Sequence, residues 1–444
     1  MEYLTGVKPK ETKEISELLE QTEAGTKVKV NGAVHTIRDM GTVAFVILRK
    51  REGLLQCVYE EGSADFELKD IKEAATVEVE GVLEENEKAP NGIEIRMESV
   101  KILSEPEDEM MPLAISKWKL NTSLEAKLTY RSISLRNIRE RAKFRIQEGL
   151  TRAFRDFLYS QEFTEIHTPK IGAKGAEGGA NIFKLEYFHR PAILQQSPQF
   201  YKQMMVGVFE RVYEIAPVFR AEKHDTARHL NEYTSVDFEI GYIENFEDIM
   251  AMEQEMLRYT FGRLQETCGA ELSLLKAEVP VITEIPRIRF SEAKELVSRV
   301  YKRAFSEKLD FEPEEEKLLC EYVKKTTGSD FVFVTHYPSA KRPFYAMDSR
   351  ENPAVTESFD LLFRGLEVTT GAQRIHNYRE QVEKIESRGM HVEAFESYLM
   401  MHRCGMPPHG GLGFGLERFT ARLLGFENVR NASLFPRDIH RLIP

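Results

Sequence analysis

The chain of 444 residues has few cysteines, no long apolar run and no excess of positive charge. Its four cysteines, Cys57, Cys268, Cys320 and Cys404, show no CxxC spacing, so neither a zinc site nor a disulfide framework is indicated. No apolar run reaches the roughly 18 residues that a membrane span needs, and the first residues lack a basic region followed by an apolar one. The net charge of −11 argues against indiscriminate nucleic-acid binding, although a local basic surface can coexist with it. We therefore expect a cytoplasmic globular protein without a membrane partner.

The chain carries enough apolar sequence for a sizeable core, since 42% of its residues are hydrophobic, and its length predicts two or three domains. Residues 1–103 alternate apolar and polar side chains in five short stretches, which is typical of strands in a small closed barrel. These stretches begin at Val28, Val43, Leu55, Val77 and Ile93. The second is apolar on both faces, so Phe45 or its neighbours must face outward, either as a platform for a base or packed against another element.

A long charged loop lies between two apolar stretches, residues 212–219 and 236–240, which predict a β-hairpin. Among the residues of this loop are Arg220, Glu222, Lys223, His224, Arg228 and His229. A hairpin loop of this length and charge is costly unless an anion orders it, and a polyphosphate is the obvious candidate. The alternative is a solvated hairpin tip, since charge runs usually face water.

Residues 137–160 place apolar side chains at helical spacing, and a strand that ends at Pro169 follows. The next segment, residues 172–181, is too rich in glycine for a helix or a strand. We expect it to form a mobile loop over a site, with Glu177 as its only acid.

The region from residue 246 to residue 345 is less informative. Residues 246–267 predict a helix, and residues 270–345 show no recognisable chemistry. The acidic run at residues 312–317 predicts a solvated helix start, with Pro313 in its first turn.

Three stretches resemble the three motifs of class II aminoacyl-tRNA synthetases, in the correct order. The helix and strand ending at Pro169 are similar to motif 1. Residues 219–222 (Phe-Arg-Ala-Glu) and 228–233 (Arg-His-Leu-Asn-Glu-Tyr) resemble motif 2, and residues 407–424, a glycine-rich strand with a helix after it, resemble motif 3. One such motif is a weak signal, whereas three in order over nearly the whole chain are a strong one.

Further segments resemble class IIb and, within it, the archaeal-type aspartyl-tRNA synthetases. Residues 195–203 match the aspartyl pattern Gln-Ser-Pro-Gln-x-x-Lys-Gln, and residues 358–376 resemble the segment that supplies magnesium and substrate ligands. The barrel resembles the OB-fold anticodon-binding domain. Residues 130–136 resemble the opening of the catalytic domain, except that Ser134 stands where the family usually has Asp.

The resemblance implies an α+β fold with an N-terminal OB-fold barrel (residues 1–103), a hinge (104–135) and a catalytic domain (136–444) whose antiparallel sheet is flanked by helices. It implies a homodimer formed through motif 1. The implied activity is that of an AMP-forming ligase that uses ATP and Mg²⁺ to activate aspartate as an adenylate. The aspartyl group then passes to a 3′-hydroxyl of tRNA, and no protein nucleophile is needed.

The resemblance also implies roles for individual residues. Catalysis would rest on Arg220, Glu222 and Arg418. Aspartate would be bound by Glu177, Gln199, Lys202, Arg220, Thr370 and Arg374. ATP would be bound by Arg220, Ala221, Glu222, Arg228, His229, Leu230, Tyr233, Glu367, Gly415, Leu416, Glu417 and Arg418. Magnesium would be held by Glu367 and Thr370, whose oxygens suit a hard cation. The anticodon would be read by His35, Phe45, Gln56, Pro90 and Glu94.

Two cationic side chains favour aspartate over asparagine. A site for a β-carboxylate needs fixed positive charge, which Lys202 supplies, whereas asparagine would leave an ammonium unpaired. Arg374 can meet a carboxylate by two parallel hydrogen bonds, and a surface salt bridge to Glu367 is the alternative. Competing functions are an asparaginyl-tRNA synthetase, an aspartate-amidating enzyme on the same core, and a nucleic-acid-binding regulator. The last two fit less well, because the barrel and the catalytic arginines are present.

The first strand bears on the range of tRNAs. In simple alternation His35 lies opposite the face of Val28, Val30 and Val34, so we expect it on the outer surface of the barrel. His35 and Pro90 together resemble the family members that charge both tRNA(Asp) and tRNA(Asn). Such an enzyme would supply Asp-tRNA(Asn) to a separate amidotransferase. An ordinary surface histidine is the alternative.

Overall fold

The computed structural model describes residues 11–108, 110–173, 181–223 and 226–443. Contacts within the chain divide it into two compact units, Met1–Glu140 and Arg141–Pro444. None of the helices in the described ranges is long and apolar enough to cross a membrane. The three domain limits expected from the sequence stay a prediction.

The first unit is built on a closed barrel of five strands, which confirms the expected OB fold. The strands are β1 (Lys27–Asp39), β2 (Val43–Arg49), β3 (Leu54–Glu60), β4 (Thr76–Glu85) and β5 (Ile93–Ser104). They follow the order β1-β2-β3-β5-β4, and β1 pairs with β4 to close the barrel. Apolar residues at alternate positions fill the interior, and Ile15 and Leu18 of helix α1 (Ile15–Gln21) pack against them.

The expectation that His35 lies on the outer surface is wrong, because β1 contains a bulge. Val34 pairs with Leu48 of β2, and Thr36 pairs with Ile47, so His35 is an extra residue in the ladder. A bulge interrupts the alternation of side chains, and both Val34 and His35 are buried, with His35 only 3% exposed.

The segment expected to be a hinge contains two short helices, α2 (Leu124–Thr129) and α3 (Arg131–Ser134). Ser134, the departure from the family pattern, is fully buried, and its hydroxyl donates to the carbonyl of Lys127 at 2.8 Å. In this chain the residue therefore closes a local contact between the two helices.

The second unit contains an eight-stranded sheet and a three-stranded sheet. The strands are β6 (Thr164–Glu165), β7 (Ile171–Gly172), β8 (Lys184–Tyr187), β9 (Arg190–Leu194), β10 (Arg211–Phe219), β11 (Glu232–Gly241), β12 (Arg287–Arg289), β13 (Phe331–Thr335), β14 (Ser358–Phe363), β15 (Leu366–Gln373) and β16 (His409–Gly415). The large sheet has the order β12-β13-β14-β15-β16-β11-β10-β6, and the small one has the order β7-β9-β8. The large sheet is antiparallel from β13 to β10, as expected, and parallel only at its two edge pairs.

The described residues from Ile138 onward form nine α-helices. They are α4 (Ile138–Ser160), α5 (Gln199–Phe209), α6 (Glu247–Thr267), α7 (Gly269–Leu275), α8 (Phe290–Tyr301), α9 (Pro313–Thr327), α10 (Tyr378–Ser387), α11 (Glu396–Cys404) and α12 (Leu416–Leu423). Pro313 begins α9, as predicted. The solvated start predicted for this helix holds for Glu314 and Lys317, which are exposed, and is wrong for Glu315 and Glu316, which are only 0% and 7% exposed.

Alternation along the central strands gives the large sheet one apolar and one polar face. Phe238, Leu412 and Phe414 pack into an aromatic-rich core with residues of α4, α6 and α12. The intervening residues, among them Asp237 and Glu239, therefore face the other side. The sheet thus carries its charged side chains on the face away from this core.

Candidate active site

A cavity of about 680 Å³ opens on the polar face of the large sheet. Its floor is a row of directly paired positions on four adjacent strands: Asp360 pairs with Thr370, Thr370 with Gly413, and Gly413 with Asp237. Because residues paired in this way point to the same face, the three polar side chains project into one space. The glycine keeps the row open, since a Cβ at Gly413 would lie 3.2 Å from Asp237 Oδ1.

Arg374 lies beside this floor and is oriented by Glu239. Its Nε donates to Glu239 Oε1 at 2.8 Å, and its Nη2 donates to Glu239 Oε2 at 3.3 Å and to the Gly411 carbonyl at 2.9 Å. Burial would raise the pKa of Glu239, but Arg374 and Lys202 hold it below its usual value. The two-point contact that we expected with a substrate is therefore made with Glu239. Nη1 is left to meet a substrate oxygen, because no hydrogen bond engages it among the described residues.

Lys202 of α5 is buried below the floor, at 1% exposure. Its Nζ donates to Asp237 Oδ1 at 2.8 Å and to the Leu412 carbonyl at 2.7 Å, with Glu239 Oε2 at 3.4 Å. The expectation that asparagine would leave this ammonium unpaired is wrong, because Asp237 and Glu239 already accompany it. Lys202 therefore influences the cavity through Asp237, whose side chain lines it.

The loop that joins β10 to β11 forms another wall, and Asn231 ties its two ends together. The Asn231 amide donates to the carbonyls of Arg220 at 2.7 Å and of Glu222 at 2.9 Å. Glu222 lies between Arg220, at 4.0 Å, and the His229 ring, at 3.7 Å. The loop thus presents one carboxylate between two cationic or ionisable groups on the cavity wall.

Two further arginines lie where this loop meets β15 and α12. Arg418 donates from Nε to the Arg228 carbonyl and from Nη1 to the Glu367 carbonyl, each at 3.3 Å. The Arg228 guanidinium donates to Glu316, which also accepts from the Glu367 backbone N–H at 3.0 Å. Burial raises the pKa of Glu316 to about 7, although Arg228 opposes this shift. Arg228 and Arg418 both line the cavity.

Oxygen ligands for a metal lie between these groups. Thr370 Oγ1 donates to Glu367 Oε1 at 3.2 Å, and Asp360 forms an ion pair with Arg342 at 2.8 Å. Burial and the neighbouring Glu367 raise the pKa of Asp360 to about 6 against the effect of Arg342. The described residues contain no cluster of three or more His, Cys, Asp or Glu side chains placed to hold a metal. Two carboxylates and a hydroxyl nevertheless fit Mg²⁺, which usually takes its other ligands from water and phosphates.

Glu417 closes the cavity beside Tyr233. Both of its carboxylate oxygens accept from the Thr234 backbone N–H at 3.0 Å, and burial raises its pKa to about 7. Gly415 directly precedes helix α12, on which Glu417 and Arg418 are consecutive residues. The glycine-rich strand therefore delivers both side chains to the site, as expected.

Most of the site residues expected from the sequence line this one cavity. They are Gln199, Arg220, Glu222, Arg228, His229, Leu230, Tyr233, Glu367, Thr370, Arg374, Gly415, Glu417 and Arg418. Lys202, Ala221 and Leu416 lie outside its lining. Glu177 lies outside the described residues.

The first unit holds the residues expected to read an anticodon. Gln56 donates to Glu94 Oε2 at 2.7 Å, and the Asn86 amide donates to the same oxygen at 2.9 Å. Phe45 is half-buried on the face of β2 opposite to Ala44 and Val46, which fill the barrel. Pro90 begins a single helical turn before β5. Glu94 thus accepts hydrogen bonds from Gln56 and Asn86 and forms the centre of a polar cluster. His35, in contrast, is buried.

Sequence reasoning missed Asp360, Arg342, Glu316 and Tyr345. Tyr345 lines the cavity, and its ring centroid lies 5.4 Å from Cζ of Arg374. A lone carboxylate in the fully buried strand β14 was a usable signal for Asp360, because such a charge needs a partner or a ligand. Arg342 and Tyr345 lie between β13 and β14, where no periodic pattern points to a site. Glu316 was assigned to a solvated run because the sequence does not show which acid of that run faces inward.

Comparison with known proteins gives consistent results. Residues 123–439 match the family described as tRNA synthetases class II (D, K and N), and residues 28–103 match the OB-fold nucleic acid binding domain. The chain is 48% identical to the aspartate-tRNA(Asp/Asn) ligase of Deinococcus radiodurans, over 95% of this chain and 96% of that protein. It is 45% identical to the enzyme of the same name from Thermus thermophilus, over 96% and 98%.

Among solved structures, the asparaginyl-tRNA synthetase of Pyrococcus horikoshii with asparaginyl-adenylate superposes with a TM-score of 0.86 at 29% identity, over 95% of this chain and 97% of that one. The family match covers more than half of the chain, and both relatives are similar over nearly their whole length. The chain therefore belongs to the class II tRNA synthetases of the D, K and N group.

Proposed function

We propose that this protein is an aspartate-tRNA ligase that activates L-aspartate with ATP and transfers it to tRNA. The observation that carries the proposal is that two buried ion pairs, Arg374–Glu239 and Lys202–Asp237, lie beside and below the cavity floor, while the cavity is also lined by Arg220, Arg228 and Arg418. One part of the site suits a small dicarboxylate and the other suits a polyphosphate. The names of the two bacterial relatives support the same substrates.

In the first step, a carboxylate oxygen of aspartate attacks the α-phosphorus of ATP, and the bond to the β-phosphate breaks to release pyrophosphate. Both reactants are anions, so positioning and neutralisation carry most of the rate. Arg374 Nη1 and Gln199 would hold aspartate, and Arg220 would lie between its α-carboxylate and the α-phosphate. Tyr233 would lie under the adenine, and Arg228 and Arg418 would meet the outer phosphates.

Asp360, Glu367 and Thr370 are the residues that would hold Mg²⁺. Bound there, the ion would neutralise phosphate charge. In the second step, the 3′-hydroxyl of the terminal adenosine of tRNA takes the aspartyl group, and AMP leaves. The side chains described here need only bind and orient the reactants in this step.

The deciding experiment is ATP-pyrophosphate exchange with aspartate and with asparagine. We expect exchange with aspartate at least a hundredfold more efficient than with asparagine. The second candidate is an asparaginyl-tRNA synthetase, which the likeness to the Pyrococcus horikoshii structure favours. Preferential exchange with asparagine would establish that candidate and remove ours.

We propose that the enzyme charges both tRNA(Asp) and tRNA(Asn), in line with the names of the two relatives. The two anticodons differ by C against U at one position, and one good contact discriminates such bases by about 1–3 kcal/mol. Charging efficiencies within about tenfold of each other support the proposal, whereas a preference above about a hundredfold for tRNA(Asp) contradicts it. Because His35 is buried, any influence of this residue on the choice of tRNA would act through the shape of the bulge in β1. The link to an amidotransferase stays a prediction.

We also propose a homodimer, formed through motif 1 as the resemblance implies and extended by an exposed apolar patch beside it, since Ile166 of motif 1 packs against Val206 of α5. Val208 and Phe209 at the end of α5 and Tyr242 after β11 are 57%, 46% and 69% exposed, and the Gly241 N–H bonds to the Glu210 carbonyl at 2.7 Å, which brings the two chain segments together. Such an apolar patch is typical of an interface. Phe209→Glu with Tyr242→Glu should shift the mass measured by light scattering from dimer to monomer. A monomeric wild-type protein would contradict the proposal.

A further inference from the structure

Glu316 is a buried carboxylate on α9, a helix that sequence reasoning left without any role. A glutamate is almost never fully buried unless it is paired, and Glu316 is 7% exposed. Its Oε2 accepts from the Arg228 guanidinium and from the Glu367 backbone N–H at 3.0 Å. One oxygen therefore joins α9, the loop between β10 and β11, and the strand β15.

Arg228 is held from a second direction as well. Arg418 donates to the Arg228 carbonyl and to the Glu367 carbonyl, each at 3.3 Å. Arg418 thus fixes the backbone of Arg228 to β15, and Glu316 fixes its side chain to the same strand. A long arginine side chain loses much rotamer freedom when it binds a ligand, so a preorganised one binds an anion at lower cost.

The neighbouring acid of the same helix has a different task. Glu315 is fully buried and pairs with Lys294 of α8 at 2.6 Å. Lys294 also donates to the carbonyls of Glu307 and Asp310, which precede α9. Glu315 therefore joins the start of α9 to α8 through Lys294, whereas Glu316 faces Arg228 in the cavity wall. Substitutions of Glu315 and Glu316 can therefore be compared to distinguish a loss of fold stability from a loss of Arg228 positioning.

We propose that Glu316 is a positioning residue for the outer phosphates of ATP, acting through Arg228. The proposal rests on the proposed function, in which Arg228 meets those phosphates. Glu316 itself does not line the cavity, and Arg228 does. Its removal should therefore weaken the binding of ATP and leave the aspartate end of the site unchanged.

The test is steady-state pyrophosphate exchange with Glu316→Ala, Glu316→Gln and Glu315→Ala. We expect Glu316→Ala to raise KM for ATP at least tenfold while KM for aspartate stays within twofold. Glu316→Gln keeps an acceptor oxygen but loses the charge, so KM for ATP should rise about two- to fivefold. Glu315→Ala should lower the melting temperature and leave the ratio of the two KM values at the wild-type value.

A double-mutant cycle with Arg228→Ala tests whether Glu316 acts through Arg228. Adding Glu316→Ala to Arg228→Ala should change KM for ATP by less than twofold. A full tenfold effect in the Arg228→Ala background overturns the proposal, as does a wild-type KM for ATP in both Glu316 variants. If Glu316→Ala does not fold, the KM for ATP of Glu316→Gln, alone and combined with Arg228→Ala, tests the proposal instead. A wild-type protein that shows no aspartate-dependent exchange refutes the proposed function itself, which distinguishes the two failures.

Discussion

In the barrel, residues 27–104, the buried polar side chains of the described part are His35, Lys50 and Gln56, and no carboxylate is among them. The second unit instead buries carboxylates and cations together in and beneath the lining of its cavity, including Asp237, Glu239, Lys202 and Arg374. Charges taken out of water are costly unless they are paired, so this unit uses folding energy to fix the charges of its site. Of the barrel's predicted recognition groups, His35 and Gln56 are buried and Phe45, Pro90 and Glu94 are half-buried, so Glu94, the one carboxylate among them, stays partly in contact with water.

This difference sets the size of the expected mutational effects. Removing one partner of a buried ion pair typically costs about 3–5 kcal/mol, because the other charge stays buried alone. A hydrogen bond to a base at the surface is worth about 1–3 kcal/mol. Substitutions among the buried charges of the second unit should therefore cause large losses of activity, whereas substitutions among the recognition groups of the barrel should cause smaller losses in tRNA charging.

The largest effect is expected for Arg374→Lys. An ammonium cannot reproduce the contacts of Nε and Nη2 with Glu239 and still reach a substrate oxygen, so Glu239 would lose part of its pairing. We expect kcat/KM for aspartate in pyrophosphate exchange to fall by about 10³, equivalent to about 4 kcal/mol. Arg403→Lys, at an exposed ion pair with Glu396, is the control and should keep wild-type exchange. A loss below tenfold in Arg374→Lys would show that the buried pair is dispensable.

The sequence was sufficient for the barrel, the central sheet and most of the cavity, because motifs and strand periodicity are local signals. It could not show that Glu239 would accept two hydrogen bonds from the Arg374 guanidinium. That pairing depends on the strand register, which places Glu239 opposite Gly411, and on the absence of a side chain at Gly411, where a Cβ would collide with the Glu239 carboxylate. A bulge of one residue reversed the expected exposure of His35. Glu316 and Arg342 come from segments without a pattern, and only tertiary contacts bring them to the site.

The second unit should also dominate the dependence of stability on pH. Glu253 of α6 is fully buried, accepts from Thr369 Oγ1 at 2.6 Å, and burial raises its pKa to about 8. A carboxyl whose pKa is higher in the folded state contributes its full stability below its unfolded pKa, near 4.5, and loses it as the pH rises through about 8. Wild-type stability should therefore decline across this window.

Glu253→Gln removes the titration and keeps the shape. Relative to the wild type, the free energy of unfolding of the variant should rise by about 3–4 kcal/mol between pH 5 and pH 8, as measured by urea denaturation. Glu255→Gln, at an exposed position of the same helix, is the control and should show no difference that changes with pH. A constant offset between Glu253→Gln and the wild type at all pH values would mean that Glu253 is not protonated in the folded protein.

The smallest effect is expected in the barrel, for Glu94→Ala. Glu94 Oε2 accepts from Gln56 and Asn86, so its removal leaves both amides without their common acceptor and loosens the cluster that we expect to read a base. We expect KM for tRNA in the charging reaction to rise about 5- to 30-fold, or about 1–2 kcal/mol, while pyrophosphate exchange without tRNA stays unchanged. Glu98→Ala, on the same strand and paired with Lys27 at the surface, is the control and should leave both activities within twofold. Because exchange without tRNA needs only the second unit, a matching loss of exchange in Glu94→Ala would mean that the barrel also supports the chemistry, and the contrast between the two units would fail.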